Sequence, residues 1–172
     1  MDPRIVQGKR GRVESGPMNR RQQWLERITA VAREYLAANT ASELLRTELE
    51  GNPRFGSGRD WERRDGVAFS ENLQATYIIR MYAVFEAGLR AYWRTHRNRD
   101  TRPSMEQLVR HAIPNQLFSQ DCIDDADDVR EYRNLLVHDI DEARAANPAS
   151  FTMAEARRRL CSYFARLDPG WQ

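Results

Sequence analysis

Residues 73–93 read LQATYIIRMYAVFEAGLRAYW, and this stretch decides the fold that the sequence predicts. Its apolar side chains recur at three- and four-residue steps, which is the spacing that places them along one side of an α-helix. The stripe comprises Leu73, Tyr77, Ile78, Met81, Phe85, Leu89 and Tyr92. Ile79, Tyr82 and Trp93 add a second apolar flank. We therefore expect a helix that is central in a bundle, or that also packs against a second subunit.

Other segments also show helical signals, and together they predict an all-α protein. We expect the central helix to begin at an N-cap, Ser70, and to end near Arg97. An earlier helical pattern covers residues 19–50, with a potential break at Asn39-Thr40. Capping boxes start two later helices, and a fifth helix begins near Asp121. Since no segment alternates like a strand, the predicted fold is a four- or five-helix up-down bundle.

The chain length of 172 residues predicts one domain. We assign residues 18–172 to that domain and residues 1–17, which are rich in Gly and Arg, to a disordered basic tail. Such a tail either contacts nucleic acid or is an over-extended start of the chain. Residues 51–66 form a Gly- and Arg-rich loop in this interpretation.

Composition excludes some classes of protein and leaves others open. The net charge of +2 is nearly balanced and does not by itself indicate nucleic-acid binding. No run of about 18 apolar residues predicts a membrane span, and nothing at the start resembles a secretory signal. Cys122 and Cys161 lack both metal-ligand spacing and a disulfide framework. We expect reduced, structural thiols and a cytoplasmic protein without a cofactor.

Residues 131–139 read EYRNLLVHD and place an arginine, an amide and a histidine within six positions. The string Arg133-Asn134-x3-His138 resembles the Arg-x(4–6)-His motif of the HEPN family of small helical domains, in which a polar residue commonly follows the arginine. The resemblance covers about residues 68–168. It implies a HEPN-like bundle that dimerises, and a metal-independent endoribonuclease that leaves cyclic phosphate ends. It also implies toxin–antitoxin or phage-defence settings, with an antitoxin or effector protein as partner. Ile140 stands where one toxin subgroup has a modified tyrosine, which argues against that form of control.

These residue types suit RNA cleavage by the substrate's own 2′-OH. His138 can act as general base or acid near neutral pH, and Arg133 can bind phosphate oxygens in a bidentate fork. Asn134 can position a phosphate oxygen, the 2′-OH or His138. Asp139 can orient the imidazole. We therefore predict Arg133, His138 and Asn134 as catalytic residues.

Two further residues are supporting candidates, namely Glu86 and Tyr132, which precedes Arg133. Glu86 either orients the histidine or arginine of the motif or pairs with Arg90 one helical turn away. A regular helix separates positions five apart by about 140°. Arg133 and His138 therefore share a site only if the helix ends or distorts near His138, or if a two-fold partner completes a composite site.

Three alternatives remain beside this prediction. The acidic residues Asp124, Asp125, Asp127 and Asp128 either hold a divalent metal or complement the dipole of a helix N-terminus, and we favour the dipole. A second alternative is a non-catalytic HEPN module that binds RNA or a protein partner. It is otherwise a structural helical adaptor in which Arg133 and His138 are incidental.

Overall fold

Five α-helices and no strand make up the described part of the chain in the computed structural model, which covers residues 19–52, 54–58, 60–97, 101–112, 119–138 and 151–171. The all-α prediction is confirmed. The helices are α1 (Arg20–Gly51), α2 (Arg63–Arg97), α3 (Met105–His111), α4 (Gln120–His138) and α5 (Met153–Ala165). Within these ranges no helix combines the length and the apolar character that crossing a membrane requires. The predicted tail, residues 1–17, lies outside the described residues.

The first two helices run antiparallel along their whole length. Near the end of α1, Ser42 Oγ donates to Ser70 Oγ at 2.8 Å. Further back along α1, Arg80 of α2 donates to Glu34 at 2.7 Å. Trp24, near the start of α1, lies against Gly88, so residue numbers fall on α1 as they rise on α2.

The last two long helices continue the alternation of direction. Arg166 at the end of α5 donates to Ser119 before α4, and Arg159 within α5 donates to Asp128 at 2.6 Å. Helix α5 is therefore antiparallel to α4. Helix α5 also contacts α1, where Arg21 donates to the carbonyl oxygens of Ala165 and Leu167. The start of α1 therefore lies beside the end of α5. The four long helices thus form an up-down bundle, with the short α3 packed on α2 and α4.

Helix α2 is the central element, because it contacts each of the other four helices. Phe85, with no exposed surface, meets the rings of Tyr163 and Phe164 edge-on at centroid distances of 5.5 and 5.3 Å. The Tyr163 hydroxyl donates to the carbonyl oxygen of Val109 at 2.7 Å, which fastens α3 to α5 inside the core. Of the two alternatives for this helix, the structure shows the central position in the bundle, and packing against a second subunit stays a prediction.

Two predicted helix boundaries were wrong. Helix α2 begins at Arg63 rather than after Ser70, since the Ser70 hydroxyl donates to the Gly66 carbonyl within the helix and also receives the Ser42 hydroxyl. Helix α1 has no break at Asn39-Thr40. Thr40 donates instead to the Leu36 carbonyl one turn earlier, as hydroxyls inside helices can do. The capping box of Ser104 and Gln107 is confirmed.

Gly88 allows α2 to approach α5 closely, so Gly88→Ala should destabilise the fold. A Cβ at this position would lie 2.4 Å from the Phe164 ring and 3.0 Å from Trp24. Overpacking of this kind costs about 1–3 kcal/mol, which exceeds the gain of roughly 1 kcal/mol in helix propensity. Chemical denaturation should show a lower free energy of unfolding. The matched change Gly51→Ala, with nothing within 4 Å, should leave stability within about 0.5 kcal/mol; equal effects at both sites would contradict the packing argument.

Glu155 at the start of α5 should contribute to acid stability. Its carboxylate accepts hydrogen bonds from Arg158 and Arg159, which lower its pKa from 4.5 to about 2. The folded state therefore holds the proton less tightly than the unfolded state. The stabilisation that the Glu155 carboxylate gains from the two arginines is complete above pH 4.5 and is lost as the pH falls toward about 2.

Thermal unfolding between pH 2 and pH 7 tests this contribution. We expect Glu155→Gln, which keeps a side chain suited to the first turn, to lower Tm at neutral pH and to flatten its fall at acid pH. The change Glu71→Gln serves as a control because exposed Glu71 forms no ion pair within the described ranges. If Tm falls at acid pH as steeply in Glu155→Gln as in wild type, protonation of the Glu155 carboxylate is not what destabilises the fold there.

Candidate functional site

Arg133 and Asn134 form the part of the motif that the structure brings together. Both are half-buried on α4, and Arg133 Nη1 donates to Asn134 Oδ1 at 3.0 Å. The guanidinium carbon lies 6.0 Å from the ring centroid of Tyr82 on α2, at the outer limit of a cation–π contact. The arginine is therefore held against α2 and turned toward its neighbouring amide.

His138 is exposed at the last residue of α4. Because α4 is a continuous helix from Gln120, Arg133 and His138 lie about 7.5 Å apart along its axis and about 140° apart around it. Asn134 stands one turn before His138, at the i, i+4 spacing that makes helical side chains neighbours. The amide thus connects the arginine to the face of α4 that carries the histidine. Asp139 lies outside the described residues.

The Tyr82 hydroxyl is the unexpected feature of this region. The residue is 1% exposed, and the oxygen has no hydrogen-bond partner among the described residues. Burial and the nearby carboxylate of Glu86 raise the pKa of Tyr82, and the charges of Arg130 and Arg133 oppose this shift. A neutral hydroxyl is therefore enclosed between α2 and α4, next to the motif arginine.

Asp127 lies next to the same face and is buried, with 8% of the residue exposed. Arg130 Nε donates to one of its oxygens at 2.5 Å, and Arg110 Nη2 of α3 donates to the other at 3.2 Å. The carboxylate raises the pKa of Arg130 through this hydrogen bond. Buried charges require such pairing, so Asp127 fixes α3 and the orientation of Arg130 beside Tyr82.

The two supporting candidates have other partners. Glu86 accepts from Nε and Nη2 of Arg90 at 2.9 and 2.7 Å, so the helix-surface pair is present. Arg90 also donates to the carbonyl oxygen of Pro103. Tyr132 stacks on Phe151, with ring centroids 4.7 Å apart, and burial raises its pKa. The structure thus places Glu86 between Tyr82 and Arg90, and Tyr132 against the segment that precedes α5.

The acidic cluster at the start of α4 is largely engaged in ion pairs. Asp125 and Asp128 face Arg159 of α5 at 3.5 and 2.6 Å. Asp124 accepts from Gln120 at 2.7 Å. Within the described residues, no group of three or more His, Cys, Asp or Glu side chains could hold a metal ion. Asp125 and Asp128 therefore join α4 to α5.

Sequence reasoning treated Tyr82 only as an apolar flank and did not identify Asp127, Arg130 or Arg110 as neighbours of the motif. A signal was present on α4, where Asp127, Arg130 and Asn134 recur at three- and four-residue steps on one face. The partner from α3, Arg110, had no local signal, because its contact depends on how the helices pack.

Comparison with known proteins adds no relative. No family model matches the chain, and neither a curated protein nor a solved structure matches it.

Removing the Tyr82 hydroxyl should stabilise the fold, because a buried polar group without a partner costs about 1–3 kcal/mol. We expect Tyr82→Phe to raise the free energy of unfolding by about 1 kcal/mol in urea denaturation. Tyr163→Phe is the matched control, since that hydroxyl has a buried carbonyl partner, and it should lower stability by about 1 kcal/mol. A loss of stability in Tyr82→Phe as large as in the control would show that the hydroxyl is paired in solution.

Proposed function

We propose that the protein is a metal-independent endoribonuclease of the HEPN type, which cleaves RNA by transesterification of the 2′-OH. The observation that carries the proposal is the arrangement on α4: a charged guanidinium bonded to an adjacent amide, with an exposed imidazole one turn beyond that amide. Arginine keeps its charge at any physiological pH and matches phosphate oxygens, while imidazole exchanges protons near neutrality.

The reaction requires two proton transfers around one phosphate. A base removes the proton of the 2′-OH, the 2′ oxygen bonds to phosphorus, and the bond from phosphorus to the 5′ oxygen breaks. An acid then protonates the leaving 5′ oxygen, so the products are a 2′,3′-cyclic phosphate and a 5′-hydroxyl. Arg133 stabilises the negative charge that gathers on the phosphate oxygens, and Asn134 holds the guanidinium in place. His138 supplies one of the two proton-transfer groups.

A second copy of the chain supplies the other group in this proposal. Attack and departure take place on opposite sides of phosphorus, so one imidazole does not reach both oxygens at once. Two copies related by a two-fold axis along exposed Val137 and His138 would present two imidazoles and two guanidinium groups to one cleft. The active species is then a homodimer with a composite site, acting as a toxin or phage-defence effector, with an antitoxin or effector protein as its partner.

The second candidate is a non-catalytic HEPN module that binds RNA or a protein partner. The position of His138 favours it, because the histidine is about 140° around α4 from Arg133 within one chain. In that case Arg133 and Asn134 form a binding surface and no bond is cleaved. The two candidates differ in whether the integrity of RNA changes, which a single assay decides.

Purified protein should cleave total RNA in EDTA and leave cyclic phosphate ends. We expect His138→Ala to reduce the rate about 10²–10⁴-fold, the usual contribution of a general acid or base, and Arg133→Ala to reduce it comparably. The matched control His111→Ala removes an exposed histidine at the end of α3 and should leave the rate unchanged. Sequencing of the cut ends and a cyclic-phosphate-specific ligation report the product.

Mixing the two inactive variants tests the composite site. Arg133→Ala and His138→Ala chains, mixed and allowed to exchange subunits, form heterodimers whose shared cleft keeps one arginine and one of its two histidines. We expect activity to return to a fraction of wild type. Inactive mixtures, despite exchange shown by a size or label-transfer assay, would contradict a shared site. Intact RNA in every sample, with retained RNA binding, would favour the non-catalytic module.

A further inference from the structure

A groove lies between the C-terminal part of α2 and the segment that leads into α3. Neither the motif nor the packing of the core gives this groove a role. It encloses about 840 Å³. The side chains that define its character are Arg90, Trp93, Arg94, Thr101, Arg102 and Ser104. Its lining therefore combines three guanidinium groups, one indole and two hydroxyls, which is a set suited to a polyanion.

Charge is the first reason to infer an anionic ligand. Among the residues that the structure describes, the lining contains three arginines and no acidic residue. Arg94 and Arg102 are exposed, and neither forms an ion pair within the described ranges. Arg90 is partly neutralised by Glu86 and is anchored to the Pro103 carbonyl. Two positive groups thus remain available, one on α2 and one on the segment that precedes α3, and their field attracts a chain of negative charges.

The indole is the second reason, and it favours nucleic acid over an acidic peptide. Trp93 is half-buried, and its Nε1 donates to Thr101 Oγ1 at 3.1 Å, so its plane is held in the groove. Aromatic side chains beside a basic groove bind single-stranded nucleic acid by stacking on bases, whatever the sequence.

Distance from the motif is the third reason. Tyr82, Glu86, Arg90 and Arg94 recur at four-residue steps on α2, starting beside Arg133. Tyr82 and Arg94 lie about 18 Å apart along the helix axis and about 120° apart around it. A strand whose phosphate is held at Arg133 would therefore reach the groove after a few nucleotides if its path also turns around α2.

We infer that the groove binds the single-stranded RNA that flanks the cleaved phosphate, an inference that rests on the proposed nuclease function. Arg94 and Arg102 contact backbone phosphates, and Trp93 stacks on a base. The groove then sets how long a substrate must be, since short RNA reaches the motif without reaching Arg94.

The test measures binding separately from cleavage. The probe is a labelled oligouridylate of twelve nucleotides with 2′-O-methyl riboses, which lacks the attacking hydroxyl, and the readout is fluorescence anisotropy in EDTA at several salt concentrations. We expect Arg94→Ala with Arg102→Ala to weaken binding about tenfold or more. The slope of log Kd against log salt should fall by about 1.4, which corresponds to two lost contacts with single-stranded phosphate.

Arg33→Ala with Arg46→Ala is the matched control, since it removes two exposed charges from α1. It should preserve both affinity and salt slope, and equal losses in the two double variants would overturn the inference. Trp93→Phe should bind nearly as well as wild type, whereas Trp93→Leu should lose about tenfold by loss of stacking. A polyglutamate peptide that binds as tightly as the oligonucleotide, with the same loss in the groove variant, would also overturn it in favour of an acidic peptide.

Cleavage assays separate this inference from the proposed function. If wild type leaves unmodified RNA intact while the groove variant still loses binding, the proposed nuclease activity is refuted and the inference about the groove is supported. If wild type cleaves RNA and the groove variant binds as tightly as the control, the nuclease activity is supported and the inference about the groove is refuted. Where both hold, the groove variant should raise KM for long RNA and leave cleavage of a dinucleotide unchanged.

Discussion

The close approach of α2 to α5 is the constraint on which the bundle depends. Gly88 leaves space that the Phe164 ring occupies, and Phe85, one turn earlier, packs its ring against Tyr163 and Phe164. Interiors packed at this density do not yield to small displacements. The packing of these rings holds α2 in a defined position, in which it also contacts α1, α3 and α4.

The position of α2 also determines which of its polar side chains face α4. Tyr82 brings a hydroxyl into the contact with α4, where apolar surface would pack at lower cost. Nearby, Asp127 is buried and needs both Arg130 and Arg110 to be tolerated. Charged and polar groups enclosed between helices reduce stability or add little to it. Their concentration beside Arg133 is in keeping with the proposed site, because functional sites often hold groups that cost stability.

The sequence predicted the class of fold and the central helix because periodicity is a local property. It failed at Ser70, where a residue typical of N-caps is used to hydrogen-bond Ser42 across two helices. The adjacent Arg133 and Asn134 were predictable from the string itself. Tyr82 beside Arg133, and Arg110 beside Asp127, were not, because such pairs depend on the packing of helices that are far apart in sequence. The resemblance therefore directed attention to Arg133 and Asn134, whereas their surroundings had no local signal that placed them there.

The distribution of histidines determines what one chain offers to the proposed reaction. The chain has three, and all lie within the described residues. His96 stacks on Tyr92 and faces Asp168 at 3.6 Å, about 21 Å along α2 from the level of Tyr82. His111 ends α3. Only His138 adjoins Arg133 and Asn134, so one chain offers one imidazole where the proposed reaction uses two proton-transfer groups. A two-fold axis near the exposed end of α4 doubles that imidazole without any further residue, which is the least demanding way to complete the chemistry.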